Sequence, residues 1–443
     1  MKKLEVRSII CLTMAAILLL GTGIFVFRFV KYGSKWATFY GNRSIYENGV
    51  LRSGAIYDRN DNLLAKSGGG EIKYSDDEDV RAATVHTVGD VNGKIATSAL
   101  RVYKDKLIGY KLLTGTYKLK GRNDDVKLTL DSDVCKAAYK ELLNYDAGCI
   151  GVYNYKTGEI ICMVSTPSFD PENEPKLEAD DRSGIYINRF LSSTLPPGSI
   201  FKTVTSAAII ENVPDYDSFS YDCTGVRMVH GEPLKCAYPH GHVDFTGALA
   251  SSCNGSFSIL TEKVGAETMS RYVDKLGLTK SYDIDGISNA KGSFEFPENA
   301  DLNLGWAGIG QYHDRLNPCS MMVYMGAIAN GGKAAVPKIL MPGLGFTDMT
   351  EQMIDEKTSE KLTEMMKATV ERSYGSHNYP NLDIYAKTGT AEVEGKNPNG
   401  WFAGFIKNED HPYAFVICLE NSGEALYTAA PVANAVLQVA ISK

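Results

Sequence analysis

Ser199 and Lys202 place a nucleophile and a base at the start of a predicted helix. Prolines and a glycine at 196–198 interrupt the chain, and no helix breaker follows until Pro214. Residues three apart on a helix share a face. Most positions of this helix are apolar or small, so it is predicted to be buried, and burial lowers the pKa of a lysine toward that of a usable base. The pair therefore predicts a hydroxyl nucleophile with a base within reach.

A serine and a lysine with this spacing also occur by chance. Ser288 and Lys291 form a second such pair, but they lie in a polar segment, 283–292, which is punctuated by glycine and has no helical pattern. That segment is predicted to be a loop. The buried helical context therefore favours Ser199 over Ser288 as the nucleophile.

Two further short signals follow Ser199 along the chain, Ser252-x-Asn254 and Lys387–Thr390. The first adds a hydroxyl and an amide. The second, Lys-Thr-Gly-Thr, lies in a strand-like run whose glycine indicates a close approach of ligand or backbone. An edge strand there can pair with an extended peptide while its lysine and threonines hold a terminal carboxylate. Lys156-Thr157-Gly158 and Ser376-x-Asn378 repeat these patterns, but they are predicted to be a hairpin turn and a polar loop.

In this order, the three signals resemble those of the class B penicillin-binding proteins, the monofunctional peptidoglycan D,D-transpeptidases anchored by one membrane helix. The resemblance extends to the stretches 51–60, 127–131, 158–171 and 308–311. The part before the catalytic region is short for the class. It is similar to that of the small elongation- or sporulation-type members.

The resemblance implies a role for each residue. Ser199 attacks the penultimate D-Ala of a stem peptide ending in D-Ala-D-Ala, with Lys202 as base. Ser252 relays the proton to the leaving D-Ala, and Asn254 holds the substrate's backbone amide. The remaining substrate-binding residues are Lys387, Thr388, Gly389 and Thr390. The backbone N–H groups of Ser199 and Thr390 form the oxyanion hole.

The same resemblance implies covalent binding of β-lactam antibiotics and no metal or other cofactor. Three alternatives stay open. A D,D-carboxypeptidase would transfer the same acyl-enzyme to water, and a penicillin-sensing or β-lactamase-like protein would use the same nucleophile on drugs. A scaffold without catalysis would only position a wall polymerase, which the complete set of signals disfavours.

The N-terminal part of the chain is predicted to hold a membrane anchor. Residues 9–27 form an uncharged apolar run, and at about 1.5 Å per residue this run reaches roughly 28 Å, enough for the bilayer core. The short preceding tail favours a cytoplasmic N-terminus, with the catalytic domain outside the bacterial cell membrane. A membrane-embedded glycan polymerase of the shape, division or sporulation family is the expected partner. The net charge of −7 gives no basic surface for nucleic acid.

Four parts are predicted: a cytoplasmic tail (1–8), an anchor (9–30), a small pedestal domain (31–126) and a transpeptidase domain (127–443). Strand patterns at both ends of 127–443, with helices between, predict an α/β (α+β) fold around a central antiparallel sheet. This is the fold class of penicillin-binding proteins and serine β-lactamases. Within the pedestal, the glycine-rich and acidic segment 67–80 is predicted to be an exposed loop.

The cysteines near the site allow two interpretations. Cys223, Cys236, His240 and His242 could ligate a metal, but their spacing lacks the Cys-x2-4-Cys step typical of structural zinc. A Cys223–Cys236 disulfide is favoured, because the compartment is predicted to be oxidising and some class B relatives look similar in carrying a cysteine pair here. Cys253, inside Ser252-x-Asn254, competes as a partner for either cysteine.

Overall fold

The computed structural model describes residues 2–114, 124–178, 181, 183–299, 301–343 and 347–443. The chain divides into two compact units. One consists of Met1–Ile56, Ala65–Lys73 and Tyr103–Val126, and the other of Tyr57–Leu64, Tyr74–Val102 and Lys127–Lys443. Residues of the predicted pedestal thus belong to both units, and the domain boundaries stay a prediction.

The first unit begins with the long helix Lys2–Ala37. Among the described residues it is the one helix that is long and apolar enough to cross a membrane, with a mean hydropathy of 2.6 in its most apolar window. The predicted anchor, residues 9–30, lies inside it. The chain then forms a small hairpin in which Tyr46–Glu47 pairs with Val50–Leu51.

The segment 67–80 is regular structure, so the loop prediction is wrong. Strands Leu63–Gly68 and Glu71–Tyr74 are joined by two glycines at positive φ, which form a tight turn. Helix Glu78–Val88 follows, and the side chain of Asp77 caps its N-terminus. The glycines therefore form a turn between two strands, and the acidic residues that follow form the N-terminus of a helix.

The second unit is built on a five-stranded antiparallel sheet. In spatial order its strands are Ile384–Ala391, Asn399–Ile406, Tyr413–Glu420, Ala147–Asn154 and Ile160–Thr166. Cys418 of the last strand in the sequence lies opposite Cys149 of the first. The predicted antiparallel sheet completed by both ends of the domain is thereby confirmed, with Ile384–Ala391 at its edge.

Both faces of this sheet are covered. All residues of Asn399–Ile406 are buried, and alternate residues of a strand point to opposite faces. Helices Ser132–Leu142 and Ala429–Ile441 pack on the sheet and on each other, and helix Pro318–Ala329 packs on three of its strands. The side chain of Asp131 caps helix Ser132–Leu142 by accepting two backbone N–H groups.

Residues 220–244 form two β-hairpins that the sequence did not predict, here called the cysteine hairpins. Ser220–Cys223 pairs with Gly241–Asp244, and Val226–Val229 pairs with Glu232–Lys235. Each strand has four residues and is mostly exposed or polar. Such short strands carry little of the alternation by which a sequence indicates a strand.

The remaining elements are shorter or lie around the sheet. The other α-helices are Ala99–Val102, Lys104–Leu107, Arg189–Ser192, Lys202–Asn212, Phe245–Ala250, Asn254–Val264, Ala266–Lys275, Leu302–Ala307 and Glu356–Thr369. The other helical turns are Gly198–Phe201, Tyr216–Ser218, Val370–Tyr374 and Ser376–Asn378. The other strands are Ala55–Tyr57, Val126–Lys127, Asp283–Ile284 and Ile287–Ser288.

Candidate active site

Ser199 lies in a tight helical turn, Gly198–Phe201, that leads into helix Lys202–Asn212. Gly198 has a φ of 56° and donates its N–H to Gly310 O at 2.8 Å. A Cβ atom at Gly198 would meet Thr390 O at 2.7 Å, so the backbone of the edge strand passes directly beside the nucleophile turn. Glycine is required here both for its left-handed conformation and for this close approach.

Lys202 is the centre of the site's hydrogen bonds. Its ammonium group Nζ lies 3.1 Å from Ser199 Oγ, 3.1 Å from Ser252 Oγ and 2.7 Å from Asn254 Oδ1, and it also donates to Ser252 O at 2.6 Å. The side chain is 0% exposed. Burial lowers the pKa of Lys202 to about 7, so near neutral pH a large share of it is the free amine that can accept a proton from Ser199.

Ser252 lies in the connection between helices Phe245–Ala250 and Asn254–Val264. Its φ of 57° is in the left-handed region, which is uncommon for a residue other than glycine, and such strain is concentrated at functional positions. Its Oγ atom accepts hydrogen bonds from both Lys202 and Lys387, each at 3.1 Å. A hydroxyl between two amines can take a proton from one side and give one to the other.

Lys387 projects from the edge strand Ile384–Ala391 and is 1% exposed. Besides Ser252, it donates to Thr388 O at 3.1 Å. Burial, and then the nearby charge of Lys202, hold the pKa of Lys387 well below its ordinary value. The hydrogen-bond partners of the two lysines among the described residues are hydroxyl, amide and backbone oxygens and not carboxylates, so the site holds two amines that an incoming anion can engage.

Thr388 and Gly389 fix the edge strand against the nucleophile turn. Tyr374 OH lies 2.9 Å from Thr388 Oγ1 and accepts the N–H of Thr388 at 2.8 Å. A Cβ atom at Gly389 would meet Pro197 O at 2.6 Å, so only glycine lets the strand come this close. Thr390 is exposed at the end of the motif, where its Oγ1 accepts the N–H of Ala425 at 3.4 Å.

Tyr374 and Trp401 support the site, and the sequence analysis did not select either. Tyr374 ends the turn Val370–Tyr374, which carries no recognisable pattern. Trp401 is fully buried in the central sheet and donates Nε1–H to Pro196 O at 2.8 Å, next to the nucleophile turn. Buried tyrosine and tryptophan generally need such polar partners.

The second Lys-Thr-Gly sequence and the second Ser-x-x-Lys sequence lie outside the candidate active site. Lys156 is exposed in the turn between two sheet strands, where Asn154 Oδ1 accepts its backbone N–H at 2.9 Å. Ser288 is exposed at the end of the two-residue strand Ile287–Ser288 and not on a helix. The predicted loop at 283–292 thus contains a small hairpin. Neither Lys156 nor Ser288 lies at the start of a buried helix, which is where Ser199 and Lys202 lie.

Comparison with known proteins gives the family. Residues 148–438 match the family described as the penicillin binding protein transpeptidase domain. The chain belongs to this family. The peptidoglycan D,D-transpeptidase PbpA of Mycolicibacterium smegmatis is 27% identical to this penicillin-binding protein over 384 residues, covering 76% of each chain. Stage V sporulation protein D of Bacillus subtilis is 29% identical over 326 residues, covering 67% of this chain and 50% of that protein.

Solved structures share the fold of this penicillin-binding protein. A ceftriaxone acyl-enzyme complex of penicillin-binding protein A from Mycobacterium tuberculosis has a TM-score of 0.77 at 22% identity, covering 88% of this chain and 98% of that one. PBP2 of Pseudomonas aeruginosa has a TM-score of 0.72 at 21% identity and covers 88% of this chain. The class B assignment and the predicted fold class are confirmed.

The structure places Cys223 and Cys236 side by side without a bond between them, and their disulfide stays a prediction. Both residues are free cysteines, and their Sγ atoms lie 3.7 Å apart, whereas a disulfide bond is about 2.05 Å long. The two sulfurs share their surroundings with Cys253 Sγ, 3.9 Å from Cys236 Sγ. His242, weighed as a metal ligand, lies on the exposed side of its strand, with Nδ1 2.8 Å from Asp222 Oδ1.

Proposed function

We propose that this protein is a peptidoglycan D,D-transpeptidase that cross-links stem peptides through a Ser199 acyl-enzyme, with release of D-Ala. The observation that carries the proposal is the continuous hydrogen-bond path from Ser199 Oγ through Lys202 Nζ to Ser252 Oγ, with Lys387 Nζ at its far end. The name peptidoglycan D,D-transpeptidase, borne by similar proteins, supports it.

In the proposed acylation step, Ser199 Oγ attacks the carbonyl carbon of the penultimate D-Ala. Its proton passes to the free amine of Lys202, and the tetrahedral oxyanion forms beside the N–H groups of Ser199 and Thr390. Ser252 then passes its own proton to the departing amine and takes the proton of Lys202 in its place, so that the C–N bond breaks, D-Ala leaves and an ester to Ser199 remains. The two proton transfers within the protein, from Ser199 to Lys202 and from Lys202 to Ser252, each follow a hydrogen bond of 3.1 Å.

The substrate's terminal carboxylate is proposed to bind Lys387, Thr388 and Thr390, with Gly389 allowing the edge strand to approach. A carboxylate beside Lys387 favours its charged form and reverses the effect of burial on its pKa. Asn254 would hold a backbone amide of the substrate. The edge position of the strand leaves it able to pair with an extended stem peptide. β-Lactam antibiotics, which carry a carboxylate beside a reactive amide, would acylate the same serine.

The second half of the reaction separates the proposed activity from its alternatives. A transpeptidase passes the acyl group to an amine of a neighbouring strand, whereas a D,D-carboxypeptidase passes it to water, and a β-lactamase-like protein turns over bound drug. The acyl-enzyme chemistry is common to all three. The names of similar proteins favour the transpeptidase.

The proposed setting is the bacterial cell membrane. Helix Lys2–Ala37 would cross it once, with the N-terminus in the cytoplasm and the catalytic domain outside. A membrane-embedded glycan polymerase of the shape, division or sporulation family is the proposed partner, because transpeptidation needs neighbouring glycan strands. Accessibility of a cysteine tag at either end of the chain to an impermeant thiol reagent tests the orientation.

The decisive experiment supplies full-length protein in detergent with freshly polymerised, uncross-linked glycan, followed by muropeptide analysis. Peptide-bonded dimers and free D-Ala in equal amounts are expected, and neither with Ser199→Ala. Release of D-Ala without dimers would identify a carboxypeptidase. Absence of both products together with steady hydrolysis of penicillin would identify a β-lactamase-like protein.

A further inference from the structure

Three sulfur atoms and one imidazole nitrogen converge beside the Ser252-x-Asn254 segment. They belong to Cys223, Cys236, His240 and Cys253, and these donor atoms all lie within 4.8 Å of one another. We propose that these four residues bind one structural zinc ion. The metal site rests on these donors alone, and only its effect on acylation depends on the proposed function.

Three of the six donor spacings match those of a tetrahedral zinc site, and the other three are within 4.8 Å. Cys223 Sγ is 3.7 Å from Cys236 Sγ, and Cys236 Sγ is 3.9 Å from Cys253 Sγ. His240 Nδ1 is 3.3 Å from Cys223 Sγ. Tetrahedral ligands with Zn–S of about 2.3 Å and Zn–N of about 2.0 Å are separated by about 3.8 Å between sulfurs and about 3.5 Å between sulfur and nitrogen. The three printed spacings agree with these values to within about 0.2 Å, so a small adjustment of the side chains would let all four atoms bind one zinc ion.

The donors come from two elements that the fold brings together. Cys223 ends a strand of the cysteine hairpins, and Cys236 and His240 lie between two of their strands. Cys253 is the N-cap of helix Asn254–Val264. The two middle donors are half-buried, while Cys223 and Cys253 are buried. A site built this way is closed by protein on one side and reachable for metal entry on the other.

The surroundings of the sulfurs also suit thiolate ligands. Cys253 Sγ accepts the N–H of Ser256 at 3.5 Å, and Cys236 Sγ accepts the N–H of Gly255 at 3.5 Å. Such outer hydrogen bonds orient metal ligands and stabilise their charge. A single disulfide would use only two of the three sulfurs and leave the third with the imidazole, whereas zinc satisfies all four donors. A sulfur-rich tetrahedral set favours zinc over magnesium or calcium, which prefer oxygen.

A zinc ion here would hold the catalytic segment in place. Ser252, at positive φ, immediately precedes Cys253, and a strained backbone persists only where its surroundings fix it. Asn254 Nδ2 donates to Lys235 O at 2.7 Å, the residue before Cys236. The metal and this hydrogen bond would together clamp Ser252 and Asn254 to the cysteine hairpins. The four ligands are then positioning residues, since they do not touch the reacting atoms.

The test uses the full-length protein, purified with reductant from zinc-supplemented medium, and measures bound metal by mass spectrometry. About one zinc per chain is expected. Competition with a chelating dye should show that His240→Ala weakens binding by on the order of 100-fold or more, while His242→Ala does not. His242 is the matched control, because it lies two residues away on an exposed position outside the cluster. Cys319→Ser, a buried cysteine elsewhere, should also retain the metal.

Two measurements keep the proposal testable if a ligand variant fails to fold. Mercurial titration of the wild-type thiols should release zinc in step with modification, and cobalt-loaded protein should show thiolate charge-transfer bands and intense tetrahedral d–d bands. A metal-free wild-type protein would overturn the proposal, as would a peptide linking Cys223 to Cys236, or Cys253 to either. Equal zinc affinity in His240→Ala and His242→Ala would overturn the assignment of ligands.

The proposed effect of zinc on catalysis is measured separately, as the rate of acylation by a fluorescent penicillin. Zinc-free His240→Ala should acylate with fluorescent penicillin about tenfold or more slowly than His242→Ala, because small misplacement of catalytic groups is costly. Unchanged acylation in the zinc-free variant would overturn the positioning role. Zinc binding in a protein that no penicillin acylates would instead contradict the proposed function, and leave the metal site standing.

Discussion

Lys202 and Lys387 donate to the same oxygen atom, Ser252 Oγ, each at 3.1 Å. Both are buried, and two charges this close disfavour each other, so the pair is not expected to be fully protonated near neutral pH. Their second contacts differ. Lys202 reaches Ser199 Oγ at 3.1 Å, whereas Lys387 donates to Thr388 O on the edge strand. Lys202 is therefore placed to act on the nucleophile, and Lys387 on what binds along the strand.

Ser199 is expected to be the residue that β-lactams modify. A fluorescent penicillin should label wild-type protein covalently, and Ser199→Ala should abolish labelling because it removes the hydroxyl that is proposed to attack, whose Oγ atom lies 3.1 Å from Lys202 Nζ. Ser288→Ala is the matched control from the second Ser-x-x-Lys sequence, and it should label like wild type. Equal labelling of Ser199→Ala and wild type would contradict the assignment.

Substitution of Lys387 is expected to slow acylation, whereas substitution of Lys156 is expected to leave its rate nearly unchanged. Loss of a charge-assisted contact to a carboxylate costs about 1.5–3 kcal/mol, which is roughly tenfold to a hundredfold in rate. Lys387→Ala should show this loss in the second-order acylation constant. Lys156→Ala, in the other Lys-Thr-Gly sequence, should be near neutral because its side chain is exposed in a turn. Equal slowing by both substitutions would refute the distinction.

Sequence reasoning succeeded where local rules decide the structure. The contact between Ser199 and Lys202 follows from helix periodicity, which depends only on residues three or four apart. The sheet strands are long and apolar, so that their type is evident from composition, and their pairing follows from the position of the strands at both ends of the domain.

Sequence reasoning failed where the structure depends on distant contacts or short elements. Cys236 and Cys253 come close together because the cysteine hairpins pack against the N-terminus of helix Asn254–Val264. The spacing of cysteines along the sequence does not predict such a contact. His242 is close to the cysteines in the chain, but it pairs with Asp222, the neighbour of Cys223, and adjacent strand residues point to opposite sides. Tyr374 belongs to the site only because the edge strand passes beside its turn. The glycines at 68–70 indicate a loop and a hairpin turn equally well, because both use the same residue types.

The rate of acylation should depend on pH through Lys202. In the proposed mechanism the free amine of Lys202 is the base, and burial lowers the pKa of Lys202 to about 7. The acylation constant should therefore rise about tenfold per pH unit below this value and level off above it. Lys202→Arg should remove acylation at every pH, because arginine stays protonated. Stopped-flow acylation between pH 5 and 9, with a β-lactam whose carboxylate stays ionised, measures the profile. A flat profile would exclude Lys202 as the base.

Gly389 is expected to tolerate no side chain. A Cβ atom there would lie 2.6 Å from Pro197 O, a backbone atom that cannot move aside without shifting the nucleophile turn. Gly389→Ala should slow acylation by at least about tenfold, because catalytic geometry changes. Gly68→Ala is the matched control, since Gly68 also lies in a strand and a Cβ atom there meets nothing within 4 Å. Wild-type acylation in Gly389→Ala would show that the strand has room to move.

Tyr374 is expected to act through Thr388. Its hydroxyl makes two hydrogen bonds to that residue, and burial raises the pKa of Tyr374 to about 12, so the hydroxyl stays protonated across the working range. Removing the oxygen frees Thr388 Oγ1 to turn away from a bound carboxylate. Because a neutral hydrogen bond contributes about 0.5–1.5 kcal/mol, Tyr374→Phe should lower the acylation constant by up to about tenfold.

The control for Tyr374→Phe is Tyr379→Phe. Both tyrosine rings pack against Phe402, so the two substitutions remove a hydroxyl from the same aromatic cluster. Tyr379→Phe should leave acylation unchanged. The double variant Tyr374→Phe with Thr388→Val should be no slower than Thr388→Val alone, because the tyrosine then has no threonine hydroxyl to orient. Additive losses in that cycle would mean that Tyr374 acts on the site by another route.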